Sequence, residues 1–290
     1  LRNSYTGVAI AKNEDSVFDF IKSKKIKKLA VPVERLTQPE YERLRRRFKL
    51  VDSTPAFVKA MSVKNEEELA SITRACEIAE EAYLQLLSFL KEGVTENETA
   101  GYLEYLMRKC GAEDRSFETI AAFGKNSSVP HHASDGTKLK SGMPVLLDFG
   151  CKVNGYCSDI TRTLWFGGKP DDEFKSVYET VLTSHLLARD NIRAGMKGRE
   201  ADAIARDYLA KQGLDKFFTH SLGHGIGINI HEFPTLSPKG EAALQDGMVF
   251  SIEPGVYFEG KFGIRIEDSV TLKNGRVVSF MKTDKNLTLL

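Results

Sequence analysis

Gly142-Met143-Pro144-Val145-Leu146-Leu147-Asp148-Phe149-Gly150 is met again later in the chain as Gly247-Met248-Val249-Phe250-Ser251-Ile252-Glu253-Pro254-Gly255. In each copy a glycine and a methionine lead into an apolar run that ends on an acid, the pattern of a buried strand. Gly155 to Asp159 then parallels Gly263 to Glu267, which reads as the returning arm of a hairpin in both copies. Working outward, each hairpin is preceded by two helical patterns. The first begins after Asn65, carries Leu69, Ile72, Cys76, Ala79, Tyr83, Leu86 and Leu90 on one face, and is expected to end at Gly93. Thr95 and Glu98 form a capping box for the next, which stops at Gly111. Aligning Gly93 with Gly195 brings Glu98 onto Glu200, Lys109 onto Lys211 and Gly111 onto Gly213, so a helix from Asp171 to near Gly195 and another from Glu200 to Gly213 are predicted. Two like halves, each of two helices and a hairpin, imply an α+β fold with the sheets joined and the helices outside.

The repeat matches acid with acid: Asp148 with Glu253, and Asp159 with Glu267. A carboxylate ending a buried strand is costly unless its charge is compensated, and four converging acids resist ionising unless cations lie among them. Read alone, one such hairpin fits turn residues as well as ligands; both hairpins carrying the pattern favours metal. On this reading Asp148 and Glu253 each serve mainly one of two divalent ions, and Asp159 and Glu267 bridge both. His224, with Gly223 and Gly225 beside it, is the candidate nitrogen donor. A glycine-rich phosphate cradle is the competing reading of that segment, but no Lys-Ser/Thr closes the loop. Of the other histidines, His185 falls mid-helix and is expected to be structural or exposed.

These motifs carry a resemblance. Asp148-Phe149-Gly150, Asp159-Ile160-Thr161-Arg162-Thr163, His224 in Gly-His-Gly-Ile-Gly, Glu253-Pro254-Gly255 and Arg265-Ile266-Glu267-Asp268 are similar to those of the pita-bread metallopeptidases, over residues 60 to 290. That family holds Xaa-Pro aminopeptidases, prolidases and methionine aminopeptidases. The resemblance implies the pita-bread fold, a pair of divalent metals and Glu253 as proton shuttle. It implies that His131 and His231 hold the substrate; Arg265, beside Glu267, is expected to orient that carboxylate, with Thr161 as a further support behind the ligands. His220 is placed on the substrate side with them, although His220 and His132 read equally well as structural. The hard, oxygen-rich donor set favours manganese, cobalt or another divalent first-row ion over a thiolate-type zinc site, with zinc itself left open.

Residues 1–55 read as a small, apparently incomplete α/β domain ahead of a catalytic domain over 56–290. Its helix is predicted over 18–25, its strand over 26–33 and a second helix over 38–50, with 52–63 as a linker. Arg43, Arg46 and Arg47 are read as a solvated face rather than a polyanion patch. The domain resembles part of the amino-terminal domain of Xaa-Pro peptidases, and Asn3-Ser4-Tyr5-Thr6-Gly7 resembles a motif that normally precedes strands not seen here. Cleavage of an N-terminal residue from a following proline is therefore expected. Some prolidases carry an arginine where this chain has Thr235, which points to an Xaa-Pro aminopeptidase with prolidase as the alternative. A methionine aminopeptidase, or a non-catalytic binding member of the fold, stands further off.

The 290 residues carry a net charge of +1, which gives no reason to expect nucleic acid or an anionic membrane as partner. No apolar run is long enough to span a bilayer, although the chain begins at Leu1 rather than Met. Cys76, Cys110, Cys151 and Cys157 are scattered without metal-site spacing, which fits a reducing, cytoplasmic setting. A homodimer is expected from the resemblance.

Overall fold

Asn65 and Glu68 show how closely local chemistry sets the helices. The Asn65 side chain accepts the Glu68 amide at 2.9 Å and the Glu68 carboxylate accepts the Asn65 amide at 2.7 Å, so the first turn loses two orphan donors at once. The computed structural model in which these distances are measured describes residues 13–290. It divides into two compact units, up to Ala60 and from Met61. The Asn3–Gly7 resemblance lies outside the described residues.

In the first unit α1 (Glu14–Ser23), β1 (Lys28–Val31), α2 (Gln38–Arg45) and β2 (Lys49–Asp52) build a small parallel pair, with Phe18, Val31 and Phe48 buried. The second helix stops at Arg45 instead of continuing to Leu50. Leu50 and Val51 pair with Leu29 and Ala30, a tertiary hydrogen-bond ladder that helical periodicity cannot foresee. The expected linker is also a helix, α3 (Thr54–Ser62), with the Asp52 carboxylate accepting the Thr54 amide at 2.9 Å. Pro55 lies in its first turn, where the missing N–H costs nothing, so the proline starts this helix rather than breaking one.

The second unit has α4 (Glu66–Leu86), α5 (Glu96–Lys109), α6 (Asp172–Asn191) and α7 (Gly198–Lys211). The first and third end before Gly93 and Gly195, because the chain leaves helical geometry to hydrogen-bond other segments. Gly93 and Gly195 take positive φ, and their amides bond Leu139 and Leu244.

The strands β3 (Asp114–Arg115), β4 (Ile120–Phe123), β5 (Met143–Phe149), β6 (Cys151–Val153), β7 (Tyr156–Cys157) and β8 (Ile160–Phe166) belong to the first half. The second half holds β9 (Gly223–Gly225), β10 (Glu232–Leu236), β11 (Val249–Ile252), β12 (Gly255–Phe258), β13 (Phe262–Arg265), β14 (Glu267–Lys273) and β15 (Arg276–Ser279). One antiparallel sheet runs β10-β9-β11-β14-β8-β5-β4, with β15 on β14. Read from its seam between β8 and β14, the order β8-β5-β4 mirrors β14-β11-β9. The two halves are therefore halves of one sheet, each with its own core. Ile72, Ala79, Tyr83, Leu147 and Phe149 pack in one, and Val181, Ala205, Leu209, Phe250 and Ile252 in the other.

At the seam Glu267 stands opposite Thr161 and Asp268 opposite Ile160. Arg162 donates to the Asp268 carboxylate at 3.0 Å and also to the Glu267 carbonyl. Against burial, Arg162, His185 and Lys285 hold the Asp268 carboxyl down to about 2. The join between the halves is thus an ion pair with strand backbone around it, next to the residues that matter most.

Candidate metal centre

Each predicted ligand lies in or next to a strand. Asp148 is the next-to-last residue of β5, Asp159 precedes β8, His224 is the middle residue of β9, Glu253 follows β11 and Glu267 opens β14. All five line one cavity of about 490 Å³, together with His131, His132, His220, His231 and Arg265. His224 Nε2 is 3.4 Å from both Asp159 Oδ2 and Glu253 Oε1. Donor atoms of Asp159, His224 and Glu267 lie within 4.8 Å of one another. The flanking glycines make this approach feasible. A Cβ on Gly223 would stand 2.0 Å from the Ser251 carbonyl oxygen, and one on Gly225 2.3 Å from that of Phe233.

The supporting contacts are specific. Arg265 donates to Asp148 Oδ2 and, through Nε, to Thr161 Oγ1 at 3.0 Å; the Thr161 hydroxyl donates to Glu267 Oε2 at 2.6 Å. Arg265 therefore touches Asp148 directly and reaches Glu267 by way of Thr161. His220 lies one step further out: its Nε2 is 2.9 Å from the Tyr257 hydroxyl, which accepts from Arg265 at 2.7 Å. The rings of His231 and His224 meet edge to face at 4.3 Å. His185, by contrast, is buried away from the cavity, its Nδ1 3.0 Å from the Ile252 carbonyl oxygen, and burial pushes its pKa down to about 4.

Three residues of the site escaped the sequence reading. Ser251 accepts the His224 amide at 3.0 Å and donates to Glu253 Oε1 at 2.9 Å, tying two of the predicted ligands together. Its signal was present: it is the one polar residue in the run Val249-Phe250-Ser251-Ile252. Ser269 accepts the Asp159 amide and donates to its carbonyl. Tyr257, which joins Arg265 to His220, has no spacing cue because the link is made across a hairpin.

The residues fit divalent cations. Asp148 Oδ1 and Glu267 Oε1 are buried without a hydrogen-bond partner. A buried acceptor left unpaired costs about 1–3 kcal/mol, and more when charged. Burial, reinforced by Asp159, Glu253 and Asp148, raises the Glu267 carboxyl well above its ordinary range. Burial, with Asp148 and Glu253 adding to it, lifts Asp159 to about 7. Against burial, the hydrogen bond His224 donates to Asp159 and the charges of Glu253 and Asp159 raise His224 to about 9. Four hard oxygen donors and one imidazole with unpaid negative charge are what a pair of divalent ions would satisfy.

A pH prediction follows. Asp159 binds its proton more tightly folded, at about 7, than at its ordinary 3.8, so its contribution to stability is full below about 4 and lost as the pH rises through 7. His224, raised from 6.5 to about 9, loses its contribution over that higher interval. In chelated protein these two groups should therefore withdraw stability from pH 4 to 9, while His185, held down at about 4, adds stability as the pH rises to 6.5, so the net loss is expected above that value. Divalent ions at one fixed concentration, 100 times their Kd at pH 8, should restore about 2.7 kcal/mol there and less at pH 5, where protons compete for the ligands. Calorimetry at pH 5 and pH 8, with manganese and with chelator, measures this; an equal gain at both pH values would contradict the cluster's role.

Fold and site together define a metal-dependent hydrolase built from two like halves. Residues 70–274 match metallopeptidase family M24. The chain is 40% identical over 225 residues to the Xaa-Pro dipeptidase of Pyrococcus furiosus, covering 78% of this chain and 64% of that protein. The Xaa-Pro dipeptidase of Bacillus anthracis superposes with a TM-score of 0.92 at 37% identity, covering 95% of this chain and 78% of that one. The X-Pro aminopeptidase of Thermotoga maritima superposes at 0.91 with 36% identity, covering 98% and 81%. The chain spans about two thirds of the length of the curated relatives it matches, 64% to 68%. It belongs to metallopeptidase family M24 and has the pita-bread fold.

Proposed function

We propose that the protein hydrolyses the bond between an N-terminal residue and a following proline, with Xaa-Pro dipeptides as its substrates. The observation that carries the hydrolytic reading is the convergence of Asp148, Asp159, His224, Glu253 and Glu267 on one cavity, with two buried carboxylate oxygens unpaired. The dipeptidase reading has the support of the Pyrococcus and Bacillus relatives. A second reading, aminopeptidase action on longer peptides, is favoured by Thr235, which lines the cavity exposed and brings no cation for a substrate's free carboxylate.

The five residues above would hold the metals, with manganese or cobalt preferred over zinc on the hardness of the donors. When bound, paired divalent ions bring the pKa of water toward neutrality and polarise a carbonyl. Glu253 takes the proton from the attacking water and passes it to the leaving amine. Its side chain, 16% exposed against 6% for Asp159, is the freer of the two carboxylates beside His224. His131 and His231 donate hydrogen bonds to the peptide oxygen as its charge develops. Arg265 and Thr161 hold Asp148 and Glu267 in place, and Phe117, Ile120 and Ile230 keep the cavity wall apolar. Four free cysteines support a reducing, cytoplasmic setting. Among the described residues no helix is long and apolar enough to cross a membrane. A homodimer remains the expected assembly.

The test is hydrolysis of Xaa-Pro dipeptides, longer peptides with proline second, and Met-Ala peptides side by side, with manganese or cobalt added. Turnover of the dipeptides at least about tenfold above the longer peptides, a difference of 1.4 kcal/mol, is expected. Preference for the longer peptides would select the aminopeptidase reading, and cleavage of Met-Ala peptides alone would overturn both.

A further inference from the structure

Outside the acid cluster the molecule holds another carboxylate that water does not reach. Glu96, the first residue of α5, is fully buried. Its Oε1 accepts the Phe123 amide at 2.7 Å and the Asn126 side-chain amide at 2.9 Å. Its Oε2 is 2.7 Å from His132 Nε2 and accepts the Asp135 amide at 3.0 Å. A carboxylate offers about four lone-pair sites, and all four are in use. Glu96, His132 and Asp135 are close enough to hold a cation, yet Glu96 has no acceptor capacity left for one. It acts as a hub.

The Glu96 side chain gathers the Phe123 amide at the end of β4 and three groups, from Asn126, His132 and Asp135, of the excursion that connects β4 to β5. Backbone contacts from the same helix turn reinforce the grip: the Glu96 amide donates to Thr137, and the Asn97 amide to the carbonyl of Asp135. That excursion supplies Pro130, His131, His132 and Ala133 to the wall of the cavity. Between Ser128 and Asp135 it contains no helix or strand that would fix it. From the cavity side a contact also reaches it, Arg265 donating to the Pro130 carbonyl at 3.3 Å. The loop is thus pinned at both faces, by Arg265 within and Glu96 behind.

We infer that Glu96 is a positioning residue for the reaction, holding the His131–His132 turn so that His131 meets the peptide oxygen. This rests on the role proposed above for His131. A buried charge with four donors costs much to assemble and sets one geometry, and a displacement of about 1 Å at a substrate-orienting group costs on the order of 10²-fold in rate.

A double-mutant cycle on the metal-loaded enzyme tests it, with kcat, KM and metal content measured for each variant. Glu96→Gln keeps the shape but turns one acceptor oxygen into a donor facing other donors. It should lower kcat/KM by about 10²-fold, mostly in kcat, with bound metal at the wild-type level. In a His131→Ala background the same substitution should cost less than about threefold. Full additivity of the two losses would overturn the proposal while leaving His131 its role. If His131→Ala itself leaves kcat/KM intact, the His131 reading falls and the coupling falls with it. Loss of metal in Glu96→Gln would likewise overturn it, by assigning Glu96 to the centre's integrity. Should Glu96→Gln fail to fold, Asn126→Ala removes one of the four donors without touching the cavity lining, and the same non-additivity with His131→Ala is required of it.

Discussion

Asp159→Asn and Glu267→Gln should each reduce bound metal from about two ions per chain to one or none, and lower turnover by about 10³-fold, the upper range for removing one electrostatic element from an active site. Both substitutions keep the size of the side chain and remove the charge that a shared carboxylate needs. For Glu267 the neighbours are arranged to keep the shape: Thr161 bonds Oε2, so the glutamine amide has a place to sit, and only the second, unpaired oxygen loses its purpose. The stability effect has the opposite sign. Four buried acids repel one another, and Glu267 feels Asp159, Glu253 and Asp148. In chelator at pH 8, Glu267→Gln should melt higher than the wild type, by about 2–4 °C for each kcal/mol of repulsion relieved. Metal analysis, kinetics and calorimetry on one preparation measure all three. A mutant with full turnover, or one that melts lower in chelator, would contradict the bridging role.

Glu253→Gln is the second large effect. Glu253 receives the Ser251 hydroxyl at 2.9 Å and lies beside His224, yet part of its carboxylate faces the cavity. A glutamine retains the carbonyl oxygen for a ligand bond and cannot accept a proton. A fall in kcat of about 10²–10⁴-fold is expected, with KM for an Xaa-Pro dipeptide changed little. The rate should not recover at higher pH, because no base replaces the lost one. If kcat stays within about threefold, Glu253 is a ligand only and the proton moves by another group.

The acids behind both results were legible in the sequence. The repeated strand-plus-acid pattern named Asp148, Asp159, Glu253 and Glu267 because burial of apolar runs and burial of acids are both local facts about composition and order. The helix starts were legible for the same reason: Asn65 with Glu68, and Thr95 with Glu98, make contacts only three residues apart. Helix ends were less so, since Gly93 and Gly195 mark turns that the helices do not quite reach. The boundaries that failed, at Arg45 and at Pro55, were settled by strand pairing and by a proline whose position in a helix decides its effect.

Order along the chain thus determined the two halves, the apolar faces, the helix caps and the set of acids, all of which depend on residues a few positions apart. Tertiary structure alone decided that the halves share one sheet through the Glu267–Thr161 seam, that Ser251 and Ser269 brace the predicted ligands, and that Tyr257 links Arg265 to His220. It also made Glu96, the first residue of α5, the anchor of a loop 27–39 residues away. The physical reason is range. Periodicity and capping act over one or two turns, whereas a buried polar atom takes whichever partner the folded backbone brings within about 3 Å, and sequence distance has no say in that choice.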